Sequence, residues 1–346
     1  MKIAVASPFE EKVPPLRYGG TELVVSNVVE NLVAMGHDVT LLATGDSQTA
    51  AKLIPIFKRP LREIEELKNL QLRDTYKFMG VGKAVAYLAK NKFDVIHNNI
   101  GWRLLPFEEM LGCPVVTTLH GPLDIAYQQR VYGEYKNSRY ISISFNQRKP
   151  MPELNFIANV YNGIDIGKFR FYPEHKDYFA FLGRMSPEKG AVQAIKIAKA
   201  AGAKLLMAAK VDAVDEAYFK SEVEPLIDED QIKFIGEVDH ERKLELLGNA
   251  KALLAPIQWE EPFGLFFVEA MACGTPVISM RRGSVPEIIV DKKTGFICDS
   301  SEEAVEKIKD LDIIDRKFCF DYASEKFSAS HMAEEYAKAY EKAIKG

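Results

Sequence analysis

Residues 2–44 read KIAVASPFEEKVPPLRYGGTELVVSNVVENLVAMGHDVTLLAT. The stretch opens on a short apolar run of strand character, KIAVAS, and passes into a loop rich in Pro and Gly. Leu23, Val24, Asn27, Val28, Asn31 and Leu32 then fall at helical spacing, with Thr21 placed as an N-cap and Gly36 as a C-terminal stop. HDVTLLAT resumes as a strand. Strand, helix and strand in that order make one βαβ unit.

The same alternation continues outward. A helix is expected over 73–91, then the strand FDVIHNN, a helix, PVVTTLH, a helix, RYISIS and FIANVYNG. Short apolar strands separated by helices imply a parallel sheet covered on both faces. The segment YNGIDIGKFRFYPEHKD, 161–177, is polar, aromatic and irregular and reads as a linker. Beyond it the pattern restarts with YFAFLG, AKLLMAA, IKFIGEV, AKALLAPI, PVISM and GFICD, again with helical segments between. From about Asp312 the chain reads as helix, broken near Phe327, with no strand after it. The expected fold class is therefore α/β, with two doubly wound Rossmann-like domains facing a central cleft. In open α/β folds the carboxyl ends of the strands are where ligands bind, so both domains are expected to contribute to one site.

Length and composition agree with two domains. At 346 residues the chain exceeds the roughly 250 that a single core commonly holds. Hydrophobic residues make up 47% and charged residues 27%, an ordinary globular balance that excludes a disordered or fibrous chain. The formal net charge is −4 and neither half is strongly basic, so a nucleic acid would meet no attractive field. Cys113, Cys273, Cys298 and Cys319 show no C-x-x-C spacing, and neither a disulfide nor a zinc site is expected from them. The apolar run in MKIAVASPF is too short for a secretory signal, and no stretch of about 18 uninterrupted apolar residues occurs, so a soluble cytoplasmic protein is expected. KRPLREIEELKNLQLRD, 58–74, mixes both signs and reads as a solvated helical face, which leaves peripheral membrane contact without support.

Five short segments bear on chemistry. GVGKAVA, 80–86, has the G-x-G-x-x-A form of a dinucleotide fingerprint but follows RDTYKFM, which has no strand character; a helix kink is the simpler reading. DED, 228–230, resembles a metal-binding D-x-D but sits in an acidic run ahead of a strand, where a solvated turn is the simpler reading. In YGGTE, 18–22, Gly19 and Gly20 would let the backbone approach a ligand whose phosphate the following helical N–H groups could bind, although a tight turn alone accounts for them equally well. TLHGP, 118–122, puts His120 at the carboxyl end of a strand, where a polar side chain is more often in the site than structural. FLGRMSPEKG, 181–190, carries Arg184 and Lys189 beside a strand end and a helix start; they are either ordinary surface cations or a forked donor and a point charge for a diphosphate.

EPFGLFFVEAMACGTPV, 261–277, sets two carboxylates, Glu261 and Glu269, around a helix start at Gly264, a place whose unpartnered N–H groups favour anions. If the helix start together with Arg184 and Lys189 holds a diphosphate, the two carboxylates can accept hydrogen bonds from neutral hydroxyls on either side of it. A sugar nucleotide has that layout. A salt bridge at Glu269 and close helix–sheet packing through the small residues are compatible with the same reading.

The segments GGTE (19–22), TLHGP, NGID (162–165), GRMSPEKG (183–190), EPFGLFFVEAMACGTPVI (261–278), GSVPEII (283–289) and TGF (294–296) together resemble the family 4 retaining glycosyltransferases, in that family's order and over nearly the whole chain. The resemblance implies a GT-B fold with an acceptor-side domain over 1–165, a donor domain over 166–325 and a terminal helix, 326–346, that crosses back onto the first domain. It implies that Arg184 and Lys189 bind the donor diphosphate, Glu261 the donor-sugar hydroxyls and Glu269 the ribose hydroxyls. It assigns the N–H groups at Phe263, Gly264 and Leu265 to phosphate or sugar oxygens, Gly20, next to Gly19, to the phosphates, and His120 to the donor sugar near the reaction centre. The implied reaction is metal-independent transfer of a hexose-type sugar, with retention, from a nucleoside diphosphate, expected as UDP, to a hydroxyl acceptor; no cofactor is expected. Two departures stand out: Gln258 and Trp259 occupy positions where many relatives carry a small or hydroxyl residue, and Glu260 doubles the acid before Glu261. Two other functions fit the same residues, a non-hydrolysing nucleotide-sugar epimerase of the same fold and a non-catalytic sugar-nucleotide-binding subunit.

Overall fold

The run KIAVA is buried at four of its five residues, with no alternation between faces. A strand does this only when helices cover both sides of its sheet. The computed structural model describes residues 1–16 and 19–346, so Tyr18 of YGGTE lies outside the described residues. The chain divides into two units, one made of Met1–Gly163 and Ala329–Gly346, the other of Ile164–Ser328.

The first unit holds β1 (Lys2–Ala6), β2 (Asp38–Thr44), β3 (Lys52–Phe57), β4 (Val95–Asn98), β5 (Val115–Leu119), β6 (Arg139–Ser142) and β7 (Phe156–Asn159). They form one parallel sheet in the order β3-β2-β1-β4-β5-β6-β7. Ile3 lies opposite Val39 on one side and Val95 on the other. The order of connection reverses between β1 and β4, and there the loops leaving two neighbouring strands diverge to opposite faces. The sequence pattern does not mark β3. Its KLIPIF contains Pro55, which lacks the N–H a central strand needs, and the structure places it at the sheet edge, where that donor is dispensable.

The covering helices are α1 (Gly20–Ala34), α2 (Leu70–Leu88) and α3 (Ala126–Glu134). Thr21 is not an N-cap: α1 begins one residue earlier behind Gly19, and no side-chain hydrogen bond caps it. At its other end Gly36 N–H donates to Val33 O at 2.9 Å and His37 N–H to Leu32 O at 3.1 Å, the paired bonds of a Schellman stop. The helix expected over 73–91 starts at Leu70 because Asn69 accepts from Leu72 N–H and caps it. GVGKAVA lies within this helix, and Gly80 is there for packing: a Cβ would stand 2.7 Å from ring carbons of both Phe9 and Phe57. The helix expected between β4 and β5 is a 3₁₀ run, Gly101–Met110, with Pro106 inside it. Proline removes a donor that a longer α-helix would need.

The second unit repeats the plan with β8 (Phe179–Arg184), β9 (Leu205–Lys210), β10 (Ile232–Gly236), β11 (Leu253–Ala255), β12 (Val277–Met280) and β13 (Gly295–Cys298). The order is β10-β9-β8-β11-β12-β13, all parallel, with its reversal between β8 and β11. Around it lie α4 (Ala191–Ala200), α5 (Glu216–Tyr218), α6 (His240–Gly248), α7 (Leu265–Met271), α8 (Val285–Ile288), α9 (Ser301–Lys307) and α10 (Arg316–Lys326). The segment read as a linker is in large part a fixed layer of this unit. Phe171 packs on Phe320 with ring centroids 5.5 Å apart, Tyr172 N–H donates to Cys273 O, and the Arg316 guanidinium donates to Tyr172 O. Its aromatic residues are what dock it.

After a break at Phe327 and Ser328, α11 (Ala329–Lys345) belongs to the first unit, where it packs on α1. Met332, Tyr336 and Tyr340 are buried on its inner face. Tyr340 donates to His97 Nδ1 at 2.8 Å, His97 Nε2–H donates to Thr118 Oγ1 at 2.8 Å, and Thr118 donates to the Tyr336 hydroxyl at 3.2 Å. That assignment uses each proton once and requires a neutral imidazole. Burial, with a smaller contribution from His120, lowers the His97 pKa to about 3. Because the folded-state value lies below the unfolded one, the unfolded chain binds the extra proton, and His97 costs stability as pH falls from about 6.5 toward 3. The expected result is that acidification over this range destabilises the parent more than a His97→Gln variant, by up to about 1.4 kcal/mol per pH unit, in chemical denaturation followed at several pH values. Parallel pH profiles for the two proteins would remove His97 from the account.

Candidate functional site

The loops that leave β8 and β11 face one another across the reversal in the second sheet, and they carry the charged residues. Arg184 is the last residue of β8, and Lys189 ends the turn that follows. Gly190 starts α4 with φ +75°, and a Cβ on it would lie 2.0 Å from Pro256 O, so only glycine lets these two loops approach so closely. Gln258 N–H donates to Glu188 O at 2.8 Å and joins them.

Glu261, 6% exposed, lies on the loop after β11. Its Oε2 accepts from Lys189 Nζ and, at 3.1 Å, from the Trp259 indole N–H. Lys189 Nζ stands 5.1 Å from the Trp259 ring centroid and 4.9 Å from that of Phe266. The loop is held from behind: Ser284 N–H donates to Glu261 O at 2.9 Å, Ser284 Oγ to Phe263 O at 2.7 Å, and Gly283 N–H to a Glu260 carboxylate oxygen at 2.7 Å. Gly283, at φ +56°, leaves room that any Cβ would close, since it would stand 2.3 Å from Glu261 N. GSVPEII thus packs directly against the loop that carries Glu261.

Gly264 is the N-cap of α7, which brings Leu265 into the first turn and Glu269 to its fifth residue. Glu269 is also 6% exposed, and Lys243 Nζ on α6 is its ion-pair partner. Lys243 went unnoticed in the sequence because 26 residues separate it from its carboxylate. Arg184 forms an ion pair with Glu188, and its Nε lies 3.3 Å from Asp215 Oδ2. The Glu188 carboxyl is held below its usual range despite opposition from burial, by backbone N–H and by Arg184, whereas burial raises that of Asp215. The structure thus brings Arg184, Lys189, Glu261, Phe263, Gly264, Leu265 and Glu269 to neighbouring loops and helix starts of one unit, with Lys243, Asp215 and Trp259 among them.

In the first unit, Gly19 and Gly20 lead from the loop after β1 into α1, and His120 directly follows β5. His120 Nε2 meets Asn99 Oδ1 at 2.8 Å, and burial lowers its pKa to about 4, so at neutral pH it acts as a neutral hydrogen-bonding group. Glu22, in the first turn of α1, is buried, which raises its pKa to about 7; Glu11 and Glu10 add to the rise, while backbone hydrogen bonding and Arg62 oppose it. Nothing in the GGTE pattern alone distinguished that glutamate from an exposed one.

DED forms a turn. Asp228 Oδ1 accepts from the N–H groups of Asp230, Gln231 and Ile232 at 2.8–3.1 Å, and these donors, Ile232 foremost, bring its pKa to about 2. Among the described residues no group of three or more His, Cys, Asp or Glu is arranged to hold a metal ion. The four cysteines are unpaired with one another. Among the described residues no helix is long and apolar enough to cross a membrane.

Removing the partner of a buried charge is expected to weaken the second unit. Lys243→Met should lower unfolding free energy by about 1–3 kcal/mol, and adding Glu269→Gln should recover part of the loss, because the pair and not the lysine alone sets the cost. Denaturant titration of the two single variants and the double variant measures this coupling; strict additivity would show that the ion pair is energetically idle.

Comparisons with known proteins identify the family and the fold. Residues 18–166 match the model for glycosyltransferase family 4, and residues 166–317 match that for glycosyl transferases group 1. The chain is 25% identical over 335 residues to a glycogen synthase of Mycobacterium tuberculosis, covering 82% of this chain and 80% of that protein. A sucrose-phosphate synthase from Thermosynechococcus elongatus superposes with a TM-score of 0.78 at 20% identity, covering 99% and 98% of the two chains. An Anabaena protein, HepE, solved in complex with UDP and glucose, superposes with a TM-score of 0.75 at 18% identity, covering 99% and 100%. With both halves matched in sequence and both sheets wound in the same way, the chain belongs to the family 4, group 1 glycosyltransferases and has their GT-B fold.

Proposed function

We propose that the protein transfers a hexose-type sugar from a nucleoside-diphosphate donor to a hydroxyl acceptor, with retention and without a metal ion. The observation that carries this reading is the cluster at the β8/β11 reversal. There a cation, Lys189, lies directly against a buried carboxylate, Glu261, three residues before Gly264 at the start of α7, and Arg184 ends the strand that leads into the Lys189 turn. A ligand that suits it must be anionic at one point and offer neutral hydroxyls at the next, as a sugar diphosphate does.

On this reading Arg184 and Lys189 bind the diphosphate, Glu261 the sugar hydroxyls and Glu269 the ribose hydroxyls, with the N–H groups of Phe263, Gly264 and Leu265 on phosphate or sugar oxygens. From the first unit the reading takes Gly19, Gly20 and His120 as contacts to the phosphates and the donor sugar. Negative charge grows on the diphosphate as the sugar–oxygen bond breaks. Fixed cations and amide protons therefore stabilise the transition state more than the bound donor. The leaving diphosphate can accept the proton of the acceptor hydroxyl, so the reaction needs neither a metal nor an added base. Uridine is the nucleoside proposed, supported by the UDP present in a protein of the same fold.

Thermal-shift titration with UDP, ADP, GDP and their sugar conjugates tests the donor class, since a ligand selective for the folded chain raises its melting temperature. The expected result is a rise with one nucleotide series only. With that donor and its acceptor, Glu261→Ala and Lys189→Ala should each slow transfer at least about tenfold, the loss of a transition-state contact of over 1.4 kcal/mol. Parental turnover by either variant would refute the role assigned to that residue.

A further inference from the structure

Trp259 occupies a position that the proposed reaction leaves without a role, yet its side chain is built into the carboxylate that the reaction uses. Its indole N–H donates to Glu261 Oε2, the same oxygen that Lys189 contacts, and its ring, like that of Phe266, lies close to Lys189 Nζ. Glu261 N–H in turn donates to Trp259 O at 3.0 Å, which closes the backbone between them into a tight turn. We propose that Trp259 is a positioning residue for donor-sugar recognition: by fixing Oε2 it orients the Glu261 carboxylate so that Oε1 receives a sugar hydroxyl. The proposal rests on the nucleotide-sugar reading above and adds to it the residue that makes the carboxylate directional.

The physical argument turns on how the two donors differ. A lysine ammonium is a rotating point charge on a flexible stem and binds a carboxylate with little angular preference. An indole N–H is a single donor in a rigid plane. With Lys189 alone the carboxylate could rotate between its two equivalent oxygens. With the rigid indole N–H on Oε2 that rotation would break its hydrogen bond even when Lys189 turns to a diphosphate, and the second oxygen is held in one place. The turn from Pro256 to Gly264 is pinned on both flanks, by Gln258 N–H to Glu188 O and by Ser284 to Glu261 and Phe263, so the indole has a fixed base from which to act.

The role separates the sugar from the nucleotide. Loss of the indole N–H should weaken binding of a sugar nucleotide without weakening the bare diphosphate, whereas loss of the whole ring should also free Lys189 and weaken both. Calorimetric titration of the parent, Trp259→Phe and Trp259→Ala with UDP, ADP and GDP, and with UDP-glucose, UDP-galactose, ADP-glucose and GDP-mannose, reads this directly. For whichever series binds the parent, Trp259→Phe should raise the Kd of the sugar conjugate about fivefold, as for one hydrogen bond, and leave that of the bare nucleotide within about twofold. Trp259→Ala should raise both. Equal weakening of both ligands by Trp259→Phe, or no change in either, overturns the positioning role while the nucleotide-sugar reading stands. Failure of every nucleotide and conjugate to bind the parent overturns the reading and the proposal with it. Melting temperatures of the two variants, measured alongside, show whether they are folded; an unfolded Trp259→Ala leaves the decision to the phenylalanine variant.

Discussion

A carboxylate taken nearly out of water has to be paired, hydrogen-bonded or protonated, and pairing with lysine is the solution that organises the second unit. Glu261 and Glu269 are both almost fully buried, and each has its own lysine, drawn from a different part of the chain. Lys189 comes from the turn after β8, and Lys243 from α6. Satisfying both carboxylates therefore fixes the turn, α6, α7 and the loop after β11 relative to one another. Buried ion pairs of this kind add little net stability, because desolvation consumes most of their attraction, but losing one member is costly. Their effect is to penalise other arrangements of the same loops.

The sheets supply the frame on which that requirement acts. In each unit the chain reverses its direction of winding once, between β1 and β4 and between β8 and β11, and the loops that follow those strands are the ones bearing polar residues. The strands themselves are apolar because both faces are covered. Close approach of the loops depends on the absence of side chains at Gly190 and Gly283, where a Cβ would overlap the backbone of Pro256 and Glu261. Glycine in this site acts chiefly by admitting a neighbouring backbone.

The sequence was most legible where burial is symmetric. Runs such as KIAVA and PVISM have no polar face, so their strand character survives any error in register, and the order of strands and helices was readable from them. Local chemistry was less so. Thr21 resembles an N-cap, but the preceding glycines already begin α1; Asn69 extends α2 by a capping bond that the hydrophobic period does not reveal. Pro55 hid an edge strand, and the aromatic residues at 169–172 looked like a linker because the surface receiving them is assembled from distant residues. The charged residues after β8 and β11 were visible as motifs, whereas Lys243 and the His97–Tyr340 bond, which spans 243 residues, exist only once the chain is folded.

The pairing of cations with carboxylates also bears on which anion such a site would accept. A bare phosphate that drew Lys189 away from Glu261 would leave a buried carboxylate with one of its donors lost, and the cost of that vacancy opposes the gain at the phosphate. A ligand that brings hydroxyl groups along with its phosphates can return hydrogen bonds to Glu261 as it takes up the lysine, so the exchange need not leave a buried charge unsatisfied. The same logic applies at Glu269 and Lys243, where ribose hydroxyls would be the compensating donors. Discrimination on this reading comes from the penalty imposed on incomplete ligands, and it needs no contact stronger than an ordinary hydrogen bond. Two glutamates beside a helix start, which look misplaced if each contact is weighed separately, are on this reading the feature that would make the site selective for a sugar diphosphate.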